Sequence, residues 1–541
     1  DVVNNISNTG NITVGNSSKG IYLKEASLTS DVNTGKISST SDAAIGIYSE
    51  YTGVAPTLIK TSNEINLSGD KTIGIYATGT GVQNIENSGL IKIGISNNGS
   101  DPSIGIYNNN SGNSILNTGT IEVGKKSLAI YNTGGNVTQD GILNIGENGV
   151  GIYSDGGIVN VSPFSTMNIG NNTAIGVYGV NGTDIRNNSA NVNIGNGSYG
   201  FVAESLSSLT NNAPVTLAGN GVFVFGNGAG TITNNAGSTI TANGSDNIAF
   251  YTVNGGTVRN DANIIANGGT GNIGIYNSGG SITNTGNISV GDSVLVYSLG
   301  MVDPLNSKYS VGVYGENSVV VNHGNIDLGE NAVGLYVKDN RVIAENRGNI
   351  TAGTSSTPKP GAVGIFTDSG AGIENFGNIT LYGDGVIGIA GKTADKIINR
   401  GIISVEGEGA IGIYTALNTE VENYNTINVS GNNGVGIIAP EGKITNYGTI
   451  NFSNGASATQ ENSQYPLPSL VNAGIIKVNG HFDNTGMNIS LKPDLSTLQA
   501  STIAGVDFTM SSGSISANSM TITDTVKILP DFSQGTNAKV Y

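Results

Sequence analysis

Aliphatic residues along this chain alternate with small or polar ones in short runs, and the runs end in Gly or Asn. Between 322 and 366, Asn322-His323-Gly324-Asn325-Ile326-Asp327-Leu328-Gly329 is followed by Ala332-Val333-Gly334-Leu335-Tyr336 and then Arg341-Val342-Ile343. Asn346-Arg347-Gly348-Asn349-Ile350 begins the cycle again. An apolar spacing of two predicts strands with one face inward and one outward, here three of three to five residues per cycle. Helices have no segment to occupy, because Gly and Asn recur inside every unit and the spacing is two rather than 3.6.

The cycle itself is the second signal. A phrase close to Ile-Gly-Ile-Tyr returns seventeen times between Tyr22 and Ile438, at intervals clustering near 24 to 26 residues. Units of this length bury a face only by stacking on one another. Pairing each strand with its counterpart one cycle on gives an all-β, right-handed parallel β-helix of about 24–26 residues per coil. The repeat region is expected over 1–483, with 484–541 as a less repetitive, Ser/Thr-rich cap or transition segment.

Two positions of the coil predict ladders. The tyrosines, among them Tyr48, Tyr76 and Tyr107, should stack from coil to coil and lie over an outward Gly, as Tyr48 over Gly46. The phrase Asn-x-Gly-x-Ile, at Asn322, Asn346, Asn375 and Asn399 among others, should form an amide ladder at one turn, with a positive-φ Gly beside it. Val202, Ala390 and Ile438 stand at the tyrosine position, which makes it a structural marker rather than a repeated site.

Composition narrows the function. Charged residues make up 11% against 37% apolar, with 82 Gly and no Cys or Trp. That is too aliphatic for a disordered tract and suits an exported, disulfide-free rod. The net charge of −16, spread without runs, argues against nucleic acid, whose phosphates require a basic face. No apolar run approaches the length of a membrane-spanning helix, and the chain reads as an excised piece of a larger exported protein.

Catalytic chemistry is sparse. His323 and His481 are 158 residues apart and cannot share a metal or a triad. Gly291-Asp292-Ser293 superficially resembles the nucleophile phrase of exported serine proteases but has no Gly after the Ser. The five arginines are scattered, and Arg347 and Arg400 read as surface variation. No catalytic, metal-binding or cofactor-binding residue is assigned, and no cofactor is expected. Interruptions of a solenoid become lateral loops, where binding concentrates. The largest, a 38-residue interval between Tyr276 and Tyr314, supplies Tyr297, Met301, Asp303, Lys308 and Tyr309 as binding candidates. Others are Tyr51 to Glu64, Ser96 to Pro102, Thr354 to Gly361, and Ser453 to Ser469 with Tyr465.

The Gly-Ile-Tyr and Asn-x-Gly-x-Ile phrases from Asn8 to Val478, together with the passage Ile528 to Tyr541, resemble the passenger regions of the large fusobacterial type Va autotransporter adhesins. That group includes galactose-binding and arginine-inhibitable outer-membrane adhesins. The resemblance implies a non-catalytic, monomeric segment displayed at the cell surface, with a signal peptide upstream and a membrane β-barrel downstream. Its implied partners are host-cell proteins or glycans and other bacteria. A passive stalk and, more remotely, a polysaccharide lyase or hydrolase remain as alternatives.

Overall fold

The computed structural model describes residues 6–97, 101–298, 301–303, 306–339, 343–392, 396–415, 419–439, 442–454 and 456–459. It also describes the backbone of the strands Ser469–Asn472, Ile475–Asn479, Phe482–Leu491, Asp507–Ser512, Ile515–Ile522 and Lys527–Pro530. Clustering divides the chain into two compact units, Asp1–Gly268 and Gly269–Tyr541. Among the described residues both consist of strands and turns, without a helix.

A coil of unit 1 has three strands: Ile73–Thr78, Gln83–Asn87 and Leu90–Ile93. We call them the tyrosine, asparagine and aliphatic strands. Each pairs in parallel with its counterpart in the next coil, Tyr76 opposite Tyr107, Asn87 opposite Asn117 and Ile91 opposite Ile121. Unit 2 repeats the plan, with Val333–Lys338, Ala344–Asn346 and Ile350–Ala352 pairing onto the following coil. The winding is that of a right-handed β-solenoid with three parallel sheets. Beyond 483 the parallel pairing continues, Phe482–Leu491 with Ile515–Ile522 and Asp507–Ser512 with Lys527–Pro530.

One inward aliphatic residue or more per strand fills the coil. Ile75, Ile85 and Ile91 are fully buried in one coil and Leu335, Ala344 and Ile350 in another. Each large aliphatic contributes about 1.5–3 kcal/mol relative to exposure. The tyrosine strand has six residues rather than the expected three to five, because its alternation slips by one at the Gly. Gly46 and Ile47 are both buried while Ile45 and Tyr48 face outward. Gly46 therefore points into the coil and not beneath Tyr48, correcting the sequence expectation. A Cβ there would lie 2.6 Å from the Gly74 carbonyl oxygen and 2.9 Å from Ile65 Cγ2. Where Phe223 takes this place, the core repacks as an edge-to-face series with Phe201 and Phe250, at centroid separations of 5.5 and 5.9 Å.

The corner after the asparagine strand is held by side chains. In unit 2, Asn284, Asn322, Asn346, Asn375, Asn399, Asn423 and Asn446 are fully buried. Each Nδ2 donates to the next Oδ1, at 2.7 to 3.0 Å. The second amide proton goes to the backbone carbonyl two residues on, as from Asn346 to Gly348 at 2.9 Å. In unit 1 the same contact joins Asn187, Asn211, Asn234 and Asn260 at 2.8 Å, while Val161 leaves one coil without an amide. The Gly of the phrase is not in the left-handed region, contrary to expectation. Gly348 is required because a Cβ would collide with the Gly324 carbonyl oxygen one coil away. Among the described residues of unit 2, positive φ falls at the other two corners, as at Asn331 (54°) and Asn317 (48°).

The tyrosines form outward stacks. In unit 1, Tyr48, Tyr76, Tyr107 and Tyr131 are nearly parallel, with centroids 4.7 to 5.0 Å apart. In unit 2, Tyr276, Tyr314, Tyr336 and Phe366 continue at 4.4 to 4.9 Å with varied tilts. Burial, then the neighbouring Tyr336 and Glu316, push the Tyr314 phenol up. Glu316 sits beside that stack. Its ion pair with Lys338 at 2.8 Å, aided by the Tyr276 hydroxyl, holds its carboxyl below the usual range against partial burial.

Two outcomes follow from these ladders. Replacing Asn375 by Ala strands the Asn346 amide proton and the Asn399 carbonyl oxygen, at a cost of about 1–3 kcal/mol for each group left unsatisfied. A lowered urea midpoint is expected; a variant as stable as the parent would remove the ladder as a source of stability. Because the Glu316 pKa is depressed in the fold, its contribution is present above the unfolded value and lost as pH falls through the folded one. Glu316→Gln should therefore lose stability at pH 7 and converge on the parent at acid pH, as read from unfolding midpoints across that range.

Candidate functional site

The corner between the aliphatic and tyrosine strands carries the largest insertion. It leaves the framework after Ile288–Val290 and returns at Val311–Glu316. Its neck is tied to the coil: Ser310 N–H donates to Ser293 Oγ at 2.9 Å, and Ser310 Oγ to the Asp292 carbonyl at 2.9 Å. Ser293 is buried there, a structural hydroxyl at the neck. Val294 and Lys308 then exchange backbone hydrogen bonds at 2.8 Å in an antiparallel bridge, and Tyr297–Ser298 pairs antiparallel with Met301–Val302. This pair forms a two-stranded sheet of its own, outside the three parallel sheets of the coils.

Asp303 closes this hairpin. Its carboxylate accepts from Asn306 Nδ2 at 2.7 Å, its carbonyl from Ser307 Oγ at 2.6 Å, and its N–H donates to the Val296 carbonyl at 2.6 Å. With the turn held internally, the apolar side chains face water: Tyr297 is 63% exposed, and Val294, Val296 and Tyr309 are exposed beside it. Lys308 is exposed on the returning segment. Exposed apolar side chains gathered on one projection mark interaction surfaces more often than scattered ones do.

The second insertion, 353–361, lies at the same corner of unit 2. Thr354 and Thr357 bond each other's backbone at 3.1 Å, and Lys359 Nζ reaches Asp292 Oδ1 at 3.3 Å. Asp292 Oδ1 also accepts from the Glu330 N–H of the intervening coil, at 2.8 Å. The two insertions are thus joined through Asp292, in a partly exposed contact worth less than about 1 kcal/mol. Their pairing was hidden in the sequence because 67 residues separate Asp292 from Lys359.

Other candidates lie apart from this surface. Tyr465 falls outside the described residues, as does His481. Tyr48, Tyr76, Tyr107, Asn322, Asn346, Asn375 and Asn399 belong to the ladders. The interval after Tyr51 is shorter than expected, since Thr57–Thr61 is an asparagine strand, and Tyr51 is buried with its hydroxyl on the Ala55 carbonyl. Arg347 and Arg400 are more tightly held than surface variation implies. Each follows a ladder Asn, stacks its guanidinium on the ring one coil on (Phe376 and Tyr424, 4.4 Å each) and pairs with Glu345 or Glu374. Tyr424 stacks on Tyr447 at 4.7 Å. The signal was legible in the residue after the ladder Asn: in unit 1 that place holds Asn188, Asn212, Asn235 and Asp261, in unit 2 Thr285 and then His, Arg, Phe and Tyr. Among the described residues no cluster of three potential metal ligands occurs.

Two domain models match parts of the chain. Residues 149–375 match the model of the BigA third pectate lyase-like domain, which includes both insertions. Residues 502–541 match the model of the BigA beta sandwich domain. No curated protein matches the chain.

Proposed function

We propose that the chain is a segment of a bacterial surface adhesin, a β-helical passenger that displays binding loops outside the cell. The observation that carries this reading is the projecting hairpin of unit 2, with Tyr297, Val294, Val296 and Tyr309 exposed on a neck that the framework holds closed. A pure spacer needs no such projection, and keeping apolar side chains in water without a partner is a cost. The matches to BigA domains support the reading, a pectate lyase-like domain model over 149–375 and a beta sandwich domain model over 502–541. Its partners on this reading are host-cell proteins or glycans, or other bacteria, and its export is by the type V route with anchoring in the outer membrane. The chain acts by binding and not by catalysis.

The pectate lyase-like description of residues 149–375 favours one second reading, cleavage of an acidic polysaccharide. Incubation with polygalacturonate should yield no unsaturated ends; their appearance would replace the adhesive reading with an enzymatic one.

Removing residues 295–307 and joining the neck with a short Gly linker leaves the Ser293–Ser310 and Asp292–Lys359 contacts in place. The shortened chain is expected to fold as the parent does and to lose most of its adherence to host cells or partner bacteria. Undiminished adherence would remove the hairpin as the contact.

A further inference from the structure

The second insertion ends against Tyr382, whose carbonyl accepts the Lys359 N–H at 2.6 Å. The next three coils turn this corner on Gly or Asn, at Gly385, Gly409 and Asn433, so nothing projects over the aliphatic strands that follow. Across their outer face runs a cavity of about 190 Å³. Two columns line it. Tyr382, Glu406, Ser430 and Ser453 stand opposite one another in successive strands, and Ser404, Asn428 and Asn451 form the column beside them.

The chemistry of this face differs from that of the interior ladder. There each amide spends both protons, one on its own turn and one on the next coil. Here Asn428 Nδ2 donates to Ser404 Oγ at 3.0 Å and Asn451 Nδ2 to Asn428 Oδ1 at 2.8 Å. Among the described residues each thus has a second amide proton directed to no protein acceptor. Glu406 brings a free carboxylate. Glu316, Glu345, Glu374, Glu420 and Glu422 of the same unit are each in an ion pair, whereas Glu406, like Glu330 and Glu408, has none among the described residues. A half-buried phenol, an unpaired carboxylate, two amides and three hydroxyls therefore converge on one cavity.

We propose that this face of unit 2 binds a neutral saccharide, one ring against Tyr382 and its hydroxyls shared between Glu406 and the Asn428 and Asn451 amides. Sugar hydroxyls donate and accept at once, which matches an acceptor-only carboxylate beside donor amides. The C–H face of a pyranose is apolar enough to rest on an aromatic ring whose hydroxyl stays wet. The volume suits a single ring, below the usual span for larger ligands. Because the columns advance one coil at a time, at about 4.8 Å, successive rings of a linear chain laid along them would meet a different pair of groups in each coil. Among the described lining residues the lone charge is the Glu406 carboxylate, so uronates, sulfated sugars and phosphates are disfavoured. This is the opposite preference to that of a site for pectate.

The site shares no residue with the hairpin, so its failure leaves the adhesive reading standing. The test is retention of the purified 541-residue chain on immobilised neutral oligosaccharides, with oligogalacturonates and sulfated oligosaccharides on the same array. Binding to neutral chains alone is expected. Tyr382→Ala and Asn428→Ala should each weaken it about tenfold, the loss of one good contact, with circular dichroism unchanged. Glu406→Gln, which keeps the shape, should weaken neutral binding and relax the exclusion of uronates. No retention on any neutral sugar, preference for the anionic ones, or full retention by the Tyr382 variant would each overturn the proposal.

Discussion

Every feature of this molecule depends on how closely one coil lies on the next. Parallel strands stacked at about 4.8 Å bring whole corners of backbone together, and a corner keeps only part of the regular ladder of backbone hydrogen bonds, such as Arg347 N–H to the Asn322 carbonyl at 2.7 Å. At the asparagine corner that deficit is met by a buried side chain that serves its own turn with one proton and its neighbour with the other. Leaving such groups without partners inside the coil would cost about 1–3 kcal/mol each. The ladder thus lets the chain turn sharply while staying dehydrated, and Gly348 and its equivalents are what permit the approach.

The three corners solve the same problem by different means, and this divides structure from display. The asparagine corner is closed by amides and tolerates no insertion among the described coils of unit 2. The other two turn on left-handed residues such as Asn331 and Asn317, whose N–H groups bond the next coil at the Pro360 carbonyl (2.9 Å) and the Lys338 carbonyl (2.8 Å) but which are not held by the asparagine ladder. A corner outside that ladder can be lengthened. Both insertions of unit 2 occur at one of these permissive corners, where lengthening leaves the amide ladder and the tyrosine stack intact.

What the sequence disclosed follows the same division. The period, the three strands and the column of asparagines were legible because identical residues recur at each place. Gly46 and Gly348 were visible as conserved elements of the repeat, but their reasons were misread, because a steric clash with the next coil leaves no trace in local spacing. The Asp292–Lys359 contact and the Tyr382–Glu406–Ser430–Ser453 column were not legible at all. Their members differ in type and meet only through stacking, 24 or more residues apart. The planar series after the ladder asparagines lay between these cases, since its position recurs and its residue type does not.

The asparagine ladder has one further consequence. Each rung makes the same two bonds whichever coil lies above it, so the contact between Asn346 and Asn375 is interchangeable with that between Asn375 and Asn399. Excising or duplicating one complete coil would restore the ladder bonds at the new junction, whereas excising half of one would break the ladder, the stack and the core together. As far as the ladder is concerned, the length of such a molecule changes in steps of whole coils, and the loops travel with the coils that carry them.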